Sequence, residues 1–285
     1  MAVESVMARQ VESRVLDTTN RVAFKNIMYA TDFSSVSERS VTYAIEIARR
    51  YRAMLHVVHV TGGKKLAAFC SEAKAKLEEQ LQSVPHEWLF QEGEVWPTLS
   101  DLIRVKQADL LVLGTHGRSG IEKVMMGSVA ETIFREADCP VLTVGPKIKA
   151  QSPHAAELTL ILYATNFSPE SLLAAPYAIS LAQEQRAQLI LLNCLDDRAG
   201  DARAMLQTLG QLVPFGTDLR CEPICVVERG PHGTKILDVS EGHGADLLVL
   251  GIEGRSKLAQ ELHFHRSELY KIVAQATCPV LTVRA

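Results

Sequence analysis

Two short segments of the chain carry residue types that bind phosphate and ribose. The first is Thr31-Asp32, at the end of the apolar run Asn26–Thr31. The second is Gly114-Thr-His-Gly117-Arg-Ser-Gly120, after the apolar run Leu110–Gly114, with Gly127-Ser128 opening a helical pattern beyond it. Glycine lets a backbone approach a ligand closely and present its N–H groups. The first N–H groups of a helix lack internal partners, and the helix dipole favours an anion there, phosphate above all. Ser128 adds a hydroxyl, and Asp32 on a neighbouring strand end can accept hydrogen bonds from ribose hydroxyls. Each part also has a purely structural reading. Ser128-Val-Ala-Glu131 is a capping box that is complete without a ligand, and Gly114 and Gly117 suit ordinary turns. Glycines at one strand end, glycine-serine at a helix start and an acid on the next strand end are more specific together than apart.

The elements that must position these residues follow from an internal repeat. Tyr29-Ala-Thr-Asp-Phe-Ser34 returns as Tyr163-Ala-Thr-Asn-Phe-Ser168, and Ala108-Asp-Leu-Leu-Val-Leu-Gly114 returns unchanged as Ala245 to Gly251. Gly-Arg-Ser follows both, at Gly117 and Gly254, and Cys139-Pro-Val-Leu-Thr-Val144 returns as Cys278 to Val283. The blocks keep their order and their separation, as a duplicated domain requires. Within the first half, strand-length apolar runs at Asn26–Thr31, Leu55–Val60, Leu110–Gly114 and Val141–Val144 alternate with helical patterns at Val36–Arg50, Lys64–Gln82, Thr98–Lys106 and Ser128–Glu136. His86–Gln91 is a weaker strand. Continuous rather than alternating apolar runs belong to strands covered on both faces. The fold class expected is α/β: two repeated domains, each an open five-stranded parallel sheet with helices on both faces. The division expected is an N-terminal arm over 1–23, a first domain over 24–147, a linker over 148–157 and a second domain over 158–285.

Composition narrows the function. A length of 285 residues suits two domains at roughly 100–200 residues each. A net charge of −3 without a long basic run argues against nucleic acid as a partner. No apolar stretch reaches the ~20 residues of a membrane span, and the N-terminal segment lacks the apolar core of a signal peptide. The six cysteines form no CxxC pair and suit a reducing, cytoplasmic location. Walker, dinucleotide-binding and nucleophile-elbow motifs do not occur. No nucleophile–base set can be assigned, so a binding site is visible and a catalytic set is not.

The spacing Gly114-x2-Gly117-x9-Gly127-Ser128 resembles the nucleotide loop of ATP-binding universal stress proteins, and the Tyr-Ala-Thr-Asp-Phe-Ser and Cys-Pro-Val-Leu-Thr-Val blocks resemble that family's first and last strands. The resemblance spans residues 24–145 and 158–284 in tandem. It implies an adenine-nucleotide-hydrolase-like, Rossmann-like fold and the binding of ATP or a related adenine nucleotide, with Mg²⁺. Carried over position by position, it makes Asp32 the ribose-binding acid, with Ala30 and Thr31 beside it. Val60 becomes the backbone contact to adenine, and Leu113, Gly114 and Gly117 the ribose–phosphate loop. Gly127, Ser128, Val129 and Ala130 become the helix start that holds phosphates. It implies a stress-response binding and signalling module, with a slow Mg²⁺-dependent ATPase or phosphotransferase and a nucleotide-free scaffold as alternatives. It also implies antiparallel pairing of the last strands, Val141–Val144 with Val280–Val283, within the chain. A homodimer and further protein partners are compatible with it.

The second half departs from the loop pattern. Asn166 replaces Asp32, and Gly251 and Gly254 remain. Nine residues past Gly254 stands Phe264-His265; aligned backward from Cys278, Arg266-Ser267 falls opposite Gly127-Ser128. Either alignment removes the glycine at the phosphate approach. One nucleotide per chain is therefore expected, in the first half, with the second cleft empty, filled by side chains such as Phe264, or holding a different ligand. His263-Phe-His265 invites a metal reading but has no clear third ligand.

Overall fold

The structure, a computed structural model, describes residues 21–61, 69–115, 128–148, 157–196, 200–252 and 263–284. The first half runs β1 (Asn26–Ala30), α1 (Ser35–Tyr51), β2 (Met54–Thr61), α2 (Phe69–Leu81), β3 (His86–Glu92), α3 (Val95–Lys106), β4 (Leu110–Gly114), α4 (Ser128–Glu136) and β5 (Val141–Val144). The second half runs β6 (Leu160–Ala164), α5 (Pro169–Leu172), α6 (Ala175–Gln185), β7 (Gln188–Leu195), α7 (Ala202–Gly210), β8 (Ile224–Arg229), α8 (His232–His243), β9 (Leu247–Ile252), α9 (His263–Gln275) and β10 (Val280–Arg284).

Local chemistry sets the element ends in the same way in both halves. Ser34 caps α1 by accepting from the Ser37 amide, and Ser168 caps α5 by accepting from the Ser171 amide. The helices that cover β1 and β6 end at Arg52 and Arg186, both left-handed at φ 54° and 52°. Each donates its amide to the open carbonyls of the last turn, as an αL C-cap does. The central strands are buried on both faces, as the apolar runs require: Ile27, Met28 and Tyr29 in β1, and Ile161, Leu162 and Tyr163 in β6, have no exposed surface.

All ten strands form one sheet, in the order β3-β2-β1-β4-β5-β10-β9-β6-β7-β8. Pairing within each half is parallel. The halves join where β5 and β10 pair antiparallel, with Leu142 opposite Leu281. The Thr143 hydroxyl donates to the Val280 carbonyl and the Thr282 hydroxyl to the Val141 carbonyl, at 3.0 and 3.3 Å. These reciprocal bonds mark a pseudo-twofold. The pairing expected from the sequence is therefore present, and it covers two edges that would otherwise be open to other chains. One apolar cluster runs through both halves, from Ile27 and Tyr29 through Leu142 and Leu281 to Ile161 and Tyr163. Two domains swinging on a linker would not share such a core.

Around the seam, Ile148 and Leu158 are buried, and the Arg39 guanidinium donates to the Ile148 carbonyl at 2.7 Å. At the end of the expected arm, Val22 donates its amide to the Ser180 hydroxyl at 3.0 Å, and Arg21 pairs with Glu184 at 3.3 Å, both on α6. In each half the chain first moves outward from its central strand, then jumps back to that strand's other side. The reversals fall between β1 and β4 and between β6 and β9. Ligands of open α/β sheets bind at such switch points, beyond the carboxyl ends of the strands.

Candidate functional site

The register brings the predicted residues of the first half to one edge. Ala30 lies beside Val58 of β2 on one side and Leu113 of β4 on the other. Thr31-Asp32, the end of β2 and Gly114 therefore emerge together at the switch point. Val60 is half-buried in β2 and paired with Gln91 of β3. Ser128 begins α4; Val129 is exposed and Ala130 is buried in the same cluster as Leu113. Gly117, Gly127, His116 and Arg118 lie outside the described residues.

The turn after β1 is held by side chains. The Thr31 amide donates to the Val58 carbonyl at 2.9 Å. Phe33 takes a left-handed φ of 59°, an uncommon conformation for a residue with a Cβ, and its amide donates to Thr31 Oγ1 at 3.0 Å. Asp32 Oδ1 accepts from the Ser34 amide at 2.9 Å and from the Ser37 hydroxyl at 3.0 Å. His59 Nδ1 lies 2.8 Å from the Thr31 carbonyl, and the Phe33 ring packs on the imidazole at 4.7 Å. One oxygen of Asp32 thus organises the turn at the start of α1. Sequence reasoning gave Asp32 a ligand role alone and passed over His59, although both lie in strand-end blocks.

The second half builds the same turn from different residues. Phe167 has φ 61°; its amide donates to Thr165 Oγ1, and the Ser168 amide to Asn166 Oδ1, each at 3.0 Å. Asn193 replaces His59 and donates its side-chain amide to the Thr165 carbonyl at 2.8 Å. Asn166 therefore keeps the amide bond of Asp32, without the second bond to a serine hydroxyl, and loses its charge. Gly251 has a packing reason: a Cβ there would lie 2.3 Å from the Glu170 carbonyl oxygen and 2.4 Å from Ser171 Cα.

The residues at the entry of the helix after the loop also differ. α4 is described over Ser128–Glu136 and α9 over His263–Gln275. With the Cys-Pro-Val-Leu-Thr-Val blocks aligned, Ser267 matches Ser128 and Arg266 matches Gly127. Arg266 lies within the described part of α9. Gly254 and the side chains of Phe264, His265 and Arg266 lie outside the described residues.

A cavity of about 270 Å³ opens at the strand ends of the second half. Thr165, Asn166, Cys194 and Gly251 line it from that half, and Phe134 and Arg135 line it from α4 of the first. Cys194 occupies the position of Val60. Burial pushes its thiol up to about 12, so it is an uncharged wall group at neutral pH rather than a nucleophile. His232 opens α8 with Nε2 3.6 Å from Asp196, beyond hydrogen-bond distance. The Arg284 guanidinium donates to the Arg135 carbonyl at the end of α4. Among the described residues, no group of three His, Cys, Asp or Glu side chains comes together to hold a metal, and no helix is long and apolar enough to cross a membrane.

Comparison with known proteins agrees with this architecture. The sequence profile of the Universal stress protein family matches residues 23–145 and 219–284. A universal stress protein of Methanocaldococcus jannaschii is 30% identical over 139 residues, which are 42% of this chain and 82% of that protein. Universal stress protein A homolog 1 of Coxiella burnetii is 30% identical over 142 residues, 44% of this chain and 98% of the relative. The crystal structure of a universal stress protein from Archaeoglobus fulgidus superposes with a TM-score of 0.70, covering 91% of this chain and 98% of its own at 20% identity.

Proposed function

Because the chain belongs to the universal stress protein family, we propose that its first half binds ATP or a related adenine nucleotide and that the protein acts as a cytoplasmic stress-response binding and signalling module. The observation that carries this reading is the emergence of Asp32 and Gly114 side by side at the β1/β4 switch point, with Ala130 of α4 packed in the same cluster as Leu113. Asp32 would accept from the ribose hydroxyls, with Ala30 and Thr31 flanking it. Val60 would meet adenine through its backbone. Leu113, Gly114 and Gly117 would line the ribose and first phosphate, and Gly127, Ser128, Val129 and Ala130 would hold the remaining phosphates at the helix start. The described residues offer no carboxylate cage, so Mg²⁺ would arrive on the phosphates, as it commonly does with nucleotides. In the second half the missing charge at Asn166 and the side chain of Arg266 in place of Gly127 remove two parts of this arrangement, which supports one nucleotide per chain.

Calorimetric titration of the full chain with ATP and Mg²⁺ tests the reading, together with analysis of small molecules released on denaturation. One nucleotide per chain is expected. No binding, or two equivalent sites, would overturn it.

A further inference from the structure

We propose that the cavity in the second half is a binding site for a small amphipathic organic anion, one acidic group on an apolar body, and that both halves of the chain build it. The cavity holds about 270 Å³, space for a molecule with one or two fused rings. Its walls are largely apolar, with Leu192, Ile236, Leu250 and Phe134 among them. Pockets of this kind recognise a ligand by shape and orient it through a few polar groups.

Those polar groups are biased to one sign. Among the described residues, Arg135, Arg284 and His232 line the cavity, against Glu170 as the one lining acid. Two further carboxylates stand beside the basic groups: Glu136 pairs with Arg135 at 3.0 Å, and Asp196 lies 3.6 Å from His232. Arg284 donates to the Arg135 carbonyl, and a guanidinium can serve several acceptors in one plane. All three basic residues are specific to this cleft. With the last-strand blocks aligned, Gly145 corresponds to Arg284 and Ala274 to Arg135. Gly93 and Gly230 donate equivalent backbone bonds, to Thr61 and Leu195, which places Val95 opposite His232. Three small or apolar residues around the first half's cleft thus correspond to three basic residues around the second's.

The packing between halves differs at the same place. A Cβ on Gly145 would lie 2.7 Å from the Val273 carbonyl oxygen, so α9 presses directly on the first half. On the opposite side the Arg284 guanidinium donates to the Arg135 carbonyl near the end of α4, and the cavity lies beside this contact.

The test uses the full chain and a fluorescent anion of the stated class, 8-anilinonaphthalene-1-sulfonate, with neutral N-phenyl-1-naphthylamine as its uncharged analogue. The expected result is saturable binding of one sulfonate per chain, undisplaced by ATP and Mg²⁺, with the neutral analogue at least about tenfold weaker. Cys194→Phe should fill the cavity and abolish binding, and Arg284→Ala should weaken it on the order of tenfold. Circular dichroism and thermal melting establish that both variants are folded. A folded Cys194→Phe with undiminished binding, or displacement of the probe by ATP, would place the probe elsewhere and overturn the proposal. Equal affinity for the neutral analogue would overturn the anion preference. Failure of ATP binding to the first half, by contrast, leaves all these readouts intact.

Discussion

The two halves share a backbone plan and differ in what it is used for. Their turns after β1 and β6 share the bonds to the backbone amides, down to a left-handed phenylalanine at φ 59° and 61°. Yet Asp32 becomes Asn166, Arg266 stands where the first half has Gly127, and a glycine in contact with the opposite half becomes Arg284. The substitutions spare the side-chain oxygens that hold the turn's amides and change the groups that would face a ligand. A duplicated domain can therefore keep its fold and alter its site, because the side-chain oxygen that fixes the turn is common to aspartate and asparagine while the charge is not.

The largest effect should come from Gly251→Ala, where the added methyl meets backbone atoms of α5 at 2.3 and 2.4 Å. Backbone cannot rotate away as a side chain can. A loss of about 3 kcal/mol in urea unfolding is expected, the upper part of the overpacking range. A loss under about 0.5 kcal/mol would show that this glycine is not a packing residue. Gly127→Val should reduce ATP affinity on the order of 100-fold, about 2.7 kcal/mol, by blocking the approach to phosphate in a chain that stays folded. Undiminished calorimetric affinity would remove the site from that position.

Gly145→Ala probes the contact between halves, where α9 presses on the first half. It should cost about 2 kcal/mol in unfolding free energy and leave nucleotide stoichiometry at one. The smallest effect should be Asp32→Asn. The turn survives, as Asn166 demonstrates, so the melting temperature should hold, and ATP affinity should fall by the worth of a hydrogen bond, about 0.5–1.5 kcal/mol. The reverse change, Asn166→Asp, should not create a second nucleotide site, because Arg266 still stands where the first half has Gly127. Binding of two nucleotides by that variant would reduce the difference between the halves to one charge.

Much of this was legible in the sequence because it is local. Continuous apolar runs fixed the buried parallel strands, and the repeated blocks fixed the duplication. Cys139-Pro-Val-Leu-Thr-Val and its copy located the strands that pair across the pseudo-twofold. What lay beyond reach depends on contacts between residues far apart in the chain. Asp32 and Asn166 share a structural task that appears only when the Ser34 and Ser168 amides are seen to reach them. Gly251 reads as a loop glycine until the α5 backbone is found against it. Arg135 and Arg284 stand 149 positions apart and signal nothing singly; comparison with Ala274 and Gly145 was the one available hint. Periodicity and spacing report the face of an element and the end of a strand, whereas a cavity is the space left between elements, which only their packing decides.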